Sequence, residues 1–205
     1  MSKRMGILFP ALILMAATLP AQIGVTGGFN MNSICVKPDR DSSQKFQPDF
    51  SAGLVGLLPL GGVLALQTEL LFSRRGGKQE QSFMDDTSSV TWKTRLTYLE
   101  LPVMLRLGLP GSEKAQPAVL LGGYGALRLS AKQSVTGTYT SIKDNTKEMD
   151  YGLTAGISLG LKTASRQTIL LGARYVHGLS NILKNPEDGQ KWRNRGFTLS
   201  AGFLF

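Results

Sequence analysis

Eight stretches of the chain alternate apolar residues with small or polar ones at a period of two, the period of a β-strand. The last stretch is the cleanest. From Gly196 to Phe205, one face carries Phe197, Leu199, Ala201, Phe203 and Phe205, and the other Gly196, Thr198, Ser200, Gly202 and Leu204. The same alternation predicts strands over 23–31, 50–58, 63–73, 95–107, 117–129, 149–162 and 168–177. In 149–162, Tyr151, Leu153, Ala155, Ile157, Leu159 and Leu161 oppose Asp150, Gly152, Thr154, Gly156, Ser158 and Gly160. In 117–129 the parity is assigned from Arg128, which turns Gly122, Tyr124 and Ala126 to the polar face.

Connection lengths alternate as well. Polar loops of roughly 17 to 21 residues, around Asp39–Gln44, Gly76–Lys93, Ala131–Lys147 and Ser180–Arg195, alternate with short turns at 59–62, 108–116 and 163–167, the rhythm of an up-and-down barrel. The predicted fold is therefore all-β: an eight-stranded antiparallel up-and-down transmembrane β-barrel, with short periplasmic turns, long extracellular loops and both termini periplasmic. A soluble lipocalin-like barrel has the same strand count with the faces inverted. Its exterior would be dotted with charge, whereas here one face is almost uncharged and the other is mostly Gly, Ser, Thr and Gln with isolated charges. The uncharged face suits lipid, where a midplane Arg or Lys costs about 2–4 kcal/mol. Eight strands enclose a space that side chains fill, so a wide pore is not expected.

The amino terminus has the layout of a secretory signal peptide over residues 1–21. Lys3 and Arg4 precede an apolar run from Ile7 to Ala17, and Ala21 is the small residue before the cut. This leaves 22–205 as a single outer-membrane domain. Composition adds two points. The 24 glycines suit strands and turns, and the one cysteine, Cys35, excludes an intramolecular disulfide in an exported chain. Beyond residue 21 no run of 18 apolar residues occurs, which excludes a helical membrane protein. The net charge of +9 falls to +7 when Lys3 and Arg4 are removed.

Several charges fall on the polar, inward face: Glu69, Glu100, Arg106, Arg128 and Arg174. In a narrow interior unpaired charges are costly, so these five are expected to form a lumen charge network, with Glu69 and Glu100 paired to the inward arginines, Arg174 in particular, and Glu100 with Arg174 as the pair to test. A salt-bridged plug and a polar or proton-linked conduit both follow from such a network. Phe203 and Phe205 form a terminal aromatic signal that the barrel assembly machinery would read.

Short sequences along the chain carry a family resemblance: Gly27-Gly-Phe-Asn30, Glu69-Leu-Leu-Phe-Ser-Arg-Arg-Gly76, Tyr98-Leu-Glu-Leu-Pro102, Gly122-Gly-Tyr124, Asp150-Tyr-Gly152 and Ala173-Arg-Tyr-Val-His-Gly-Leu-Ser-Asn-Ile182. Together they resemble the PorT-type outer-membrane β-barrel family. The resemblance implies an eight-stranded barrel in the outer membrane of Bacteroidetes-like bacteria, from a family with members tied to type IX protein secretion and gliding. Pro102, which cannot donate to a ladder, is expected to mark a bulge or irregularity.

Catalytic chemistry finds little support. The only histidine, His177, stands three positions from Ser180, so in a continuing strand the two face opposite ways, and Glu187 and Asp188 lie in the next loop. Metal, cofactor and nucleotide motifs are lacking. The function expected is a non-enzymatic outer-membrane component, structural or accessory to secretion; the alternatives are a narrow channel or an outer-leaflet lipid-modifying enzyme. Basic loop residues (Lys37, Arg40, Arg74, Arg75, Lys78, Lys184, Lys191, Arg193 and Arg195) would meet lipopolysaccharide phosphates or simply be solvated. Partners expected are membrane lipid, lipopolysaccharide, the assembly machinery and secretion proteins. Nucleic acid is not expected, because no basic stripe is interleaved with aromatics.

Overall fold

The computed structural model describes residues 21–37, 43–82, 89–135, 138–165, 167–186 and 189–205. The predicted signal peptide, apart from Ala21, lies outside the described residues, as do Asp39, Arg40, Glu187 and Asp188. Eight long strands form a closed antiparallel ring: β1 (Gln22–Lys37), β3 (Gln47–Gly61), β4 (Leu64–Ser82), β5 (Ser89–Gly108), β6 (Ala115–Val135), β8 (Met149–Lys162), β9 (Thr168–Gly178) and β10 (Lys191–Leu204). Closure is made by β1, which pairs with β3 on one side and β10 on the other. Two short strands, β2 (Ser43–Lys45) and β7 (Thr138–Ser141), pair with the outer ends of β4 and β6.

Both ends of the ring's chain path, Gln22 and Leu204, lie at the end with the tight turns. The β3–β4 turn uses Gly61 and Gly62 at φ 118° and 56°, left-handed conformations that favour glycine.

The opposite end departs from expectation. Much of what the sequence suggests to be loop is strand: β4 continues nine residues past Ser73 to Ser82, and β5 begins at Ser89. There β2, β4, β5, β6 and β7 form one antiparallel sheet projecting beyond the apolar band, with Lys78 opposite Lys93 and Trp92 opposite Val135. Polar composition hid these extensions: both faces carry mostly polar residues and leave no apolar alternation to read, although Arg75, Thr94, Ala131 and Ser134 are buried on the inward side.

Three irregularities interrupt the ladders, one of them a register shift between Pro59 and Gly61 beside the β3–β4 turn. A register shift lies between Thr97 and Tyr98, with Leu129 as the extra residue on β6. Opposite Pro102 the β4–β5 pairing is interrupted, but the register on either side is unchanged, so the proline makes a gap and not a bulge.

The alternation sorts the two faces as expected. Tyr151, Leu153, Ile157, Leu199 and Phe197 are exposed on the outside, while Asp150, Thr154, Ser158 and Thr198 are buried inside. From Met149 to Leu161 the outward apolar row runs about 40 Å, which at a tilt of about 40° stands roughly 30 Å tall. Inside, apolar layers sit toward both ends. Ile34, Leu96, Tyr98, Tyr124, Ala126, Ala131, Val176 and Ile182 pack together toward the hairpin end. Val55, Leu170 and Leu204 pack toward the turn end.

Candidate functional site

The buried polar groups of the lumen form two ion-paired clusters. In the first, Asp150 on β8 is 1% exposed and collects three hydrogen bonds. Tyr124 Oη donates to Oδ2 at 3.2 Å, Asn194 Nδ2 donates to Oδ2 at 2.8 Å, and Ser180 Oγ donates to Oδ1. Asn194 Nδ2 also lies 3.3 Å from Tyr98 Oη, which accepts. Arg75 closes the cluster. It donates through Nη2 to Glu100 Oε1, places Nη1 3.8 Å from Asp150 Oδ2, and lays its guanidinium 4.3 Å from the centre of the Tyr124 ring.

The backbone positions these groups for identifiable reasons. Arg75, Glu100, Asp150, Tyr98, Tyr124 and Asn194 all occupy inward positions of their strands, so pleat alternation alone delivers them to one space. Ser180 lies just past β9. It arrives because the amides of Leu179 and Ser180 both donate to the Tyr151 carbonyl, at 2.9 and 3.3 Å, which turns the chain in over Asp150.

In the second cluster, Arg174 on β9 donates to Glu69 Oε2 at 2.7 Å, and Gln67 Nε2 donates to Glu69 Oε1 at 2.9 Å. β4 and β9 stand opposite each other in the ring, so this pair is a strut across the lumen. Beside it a void of about 10 Å³ is lined by Glu69, Arg174, Gln67, Ser158 and Ser200. That is at the limit of what one water needs, roughly 10–15 Å³.

The five charges singled out from the sequence therefore divide. Glu69 pairs with Arg174, but Glu100 pairs with Arg75, which the sequence reading placed in a loop; the expected contact between Glu100 and Arg174 is replaced by these two pairs. Arg106 has no ion pair among the described residues; it donates to Ser158 Oγ and, at 3.2 Å, to the Gln116 carbonyl. It faces a vestibule of about 570 Å³ at the turn end. Arg128 leaves the lumen network altogether, donating to the Lys143 carbonyl at 2.8 Å and to Thr146 Oγ1. Asp150, Tyr98, Tyr124, Ser180 and Asn194 were missed as a group. A signal was present: five of the six short sequences quoted above supply Arg75, Tyr98, Glu100, Tyr124, Asp150 and Ser180 to one cluster, and two of them, 69–76 and 173–182, also supply Glu69 and Arg174 to the other.

The glycine of Asp150-Tyr-Gly152 has its own reason. A Cβ at Gly152 would stand 2.2 Å from the His177 carbonyl oxygen and 2.7 Å from Tyr124 Cε1, so only glycine lets β8 approach β9 beneath the tyrosine.

Outside the barrel, His177 faces away from Ser180. Its ring lies 6.3 Å from Tyr175, which in turn lies 5.0 Å from Phe197, while Ser180 and Asp150 are buried within. The nucleophile, base and acid of a serine hydrolase are thus not assembled from these residues. No group of His, Cys, Asp or Glu among the described residues could hold a metal ion. At the other end of β10, Phe203 and Phe205 both face outward with ring centres 5.6 Å apart, and the Phe205 amide donates to the Ile23 carbonyl at 2.9 Å.

Residues 11–184 match the family model described as outer membrane protein beta-barrel domain. The chain belongs to that family. As a member, it is an outer-membrane β-barrel protein, and the closed ring, uncharged outer band and paired interior are the physical form of that assignment. No curated protein matches its sequence. Among solved structures it is similar to Neisserial surface protein A (13% identity, 90% of this chain and 97% of that one, TM-score 0.49). It is also similar to Ail, the attachment invasion locus protein of Yersinia pestis (14%, 90% and 99%, 0.43). A third is the outer membrane protease OmpT of Escherichia coli (9%, 90% and 95%, 0.44).

Proposed function

We propose that this protein is a sealed, non-enzymatic scaffold of the outer membrane, with its turns and both strand termini in the periplasm and its projecting sheet outside the cell. Its work is to present that sheet to partner proteins. An accessory role in protein secretion, as the PorT resemblance implies, is the finer form of this reading. The observation that carries it is the lumen: two buried ion-paired clusters, the first interleaved with the apolar layer that holds Tyr98 and Tyr124, fill it and leave a void no larger than one water beside the cross-strut. A barrel filled this way contributes rigidity and leaves recognition to its projecting strands.

Three measurements test the proposal. Purified protein in planar bilayers is expected to give no steady conductance; a sustained open level would overturn the sealed lumen. Deletion in the native host, followed by pull-down with the tagged chain, is expected to recover protein partners and impair secretion. Normal secretion with no partner recovered would sink the accessory role. Lipid A mass spectra of the deletion strain are expected to match the parent, and a lost modification restored by the wild-type chain but not by His177→Ala would make the protein an enzyme.

A further inference from the structure

Four arginines stand on the outward face at the boundary between the apolar band and the projecting sheet. Arg74 follows Leu70 and Phe72 on β4, Arg95 precedes Leu99 and Leu101 on β5, and Arg193 and Arg195 precede Phe197 and Leu199 on β10. They share outward parity with those apolar residues, so their stems lie over the apolar band and their heads rise above it. Arg74 sits 4.9 Å over the Phe50 ring and Arg95 5.1 Å over the Tyr139 ring. Among the described residues, the buried Nε–H of each of the four has no hydrogen-bond partner, and none of the four forms an ion pair. Asp49 is near enough to Arg74 and Arg95 for their charges to act on its carboxyl, yet forms no ion pair with either. Lys132 lies directly opposite Arg95 on β6 and extends the same stretch.

A buried, unsatisfied guanidinium N–H costs stability unless a ligand answers it, and four in one boundary layer mark a place where acceptors arrive from outside the chain. The acceptor must be anionic, must sit at the height where lipid tails meet headgroups, and must suit the planar fork of arginine. Phosphate meets all three conditions. Resting on the orientation proposed above, we infer that these arginines form a binding belt for the phosphates of lipopolysaccharide, with Arg74, Arg95 and Lys132 as one site and Arg193 and Arg195 as a second across β1. The aromatic residues just below, Phe50, Phe197 and Tyr175, would receive the first segments of the acyl chains.

The test uses the full mature chain folded in detergent without lipopolysaccharide, and titrates it with lipid A, with dephosphorylated lipid A and with inorganic phosphate. Lipid A is expected to bind at least tenfold more tightly than its dephosphorylated form, and millimolar phosphate to compete only weakly. Arg74→Gln with Arg95→Gln, and separately Arg193→Gln with Arg195→Gln, are each expected to lose about tenfold, and the corresponding Arg→Lys pairs to retain part of the binding. Heat-modifiable migration checks that each variant is folded. Folded Gln variants that bind as the parent does, or equal binding of dephosphorylated lipid A, would overturn the belt, and tight binding of free phosphate would replace the lipid with a soluble anion. The orientation is tested apart, by surface accessibility of an epitope inserted between Ser82 and Ser89. A hidden epitope would defeat the orientation while leaving the detergent binding result to stand.

Discussion

Separating the two lumen clusters energetically gives the sharpest test of how the barrel is filled. Arg174→Met strips Glu69 of the one cation it pairs with among the described residues and leaves it a neutral donor, Gln67. Removing one member of a buried pair costs about 3–5 kcal/mol, because the other charge remains in a low dielectric. Glu69→Gln alone strands Arg174 in the same way. The double variant leaves no orphan charge, so its loss is expected to fall short of the sum of the single losses by about 2–3 kcal/mol. Glu100 and Arg174 share no partner among the described residues, so their double variant is expected to be additive within about 0.5 kcal/mol. Within the first cluster, Glu100→Gln leaves Arg75 with Asp150 and the Tyr124 ring, at a cost near the lower bound, about 3 kcal/mol. Arg75→Met strands two carboxylates at once, at a cost of about 5 kcal/mol or more. Urea unfolding in phospholipid vesicles, followed by tryptophan fluorescence, measures all of these. Strong coupling of Glu100 with Arg174, or Arg75→Met milder than Glu100→Gln, would refute the two-cluster arrangement.

Other consequences follow from single positions. Asp150→Asn puts an amide donor among three donors, from Tyr124, Asn194 and Ser180, and is expected to cost about 2–4 kcal/mol in the same unfolding assay; a loss below about 1 kcal/mol would mean that the hydrogen bonds to Asp150 matter little. Gly152→Val drives a side chain into the β9 backbone and the Tyr124 ring, so the folded, heat-modifiable species is expected to be nearly absent, and ordinary yield would disprove the close approach. Phe205→Asp is expected to lower the yield of assembled barrel while export continues, and unchanged assembly would remove the signalling role given to the last residue.

Legibility in the sequence followed the solvent contrast along each strand. Wherever one face met an apolar medium and the other did not, alternation fixed the facing of every residue: 149–162 was read with its boundaries intact, and even the glycine-rich 117–129 was assigned the correct parity from Arg128 alone. Above the apolar band the outward face turns polar as well, the contrast disappears, and the pattern ends β4 at Ser73. Two residues further on stands Arg75, still on the inward parity of Gln67, Glu69, Leu71 and Ser73. Ending the strand early therefore moved the counter-ion of Glu100 into a loop and left Arg174 as the nearest apparent partner.

Pairing across a closed lumen poses a different problem from facing. Facing depends on a residue and its immediate neighbours, whereas the meeting of Glu69 and Arg174 depends on ring order and on the stagger accumulated around the ring between β4 and β9. A single register shift, such as the one between Thr97 and Tyr98, moves everything beyond it by one residue on one strand only. No local pattern records that sum. What the sequence does record is the set of residues that must be compatible once the ring closes. For this reason Arg75, Glu100, Tyr124, Asp150 and Ser180 lie in short sequences far apart in the chain yet share one buried space. A polar cluster of this kind is costly when half assembled and secure when complete, so it favours one closure register over its neighbours. Offsetting β8 against β6 by one residue would withdraw Asp150 from Tyr124 and turn it toward lipid, while the apolar alternation on the outside would be inverted with it.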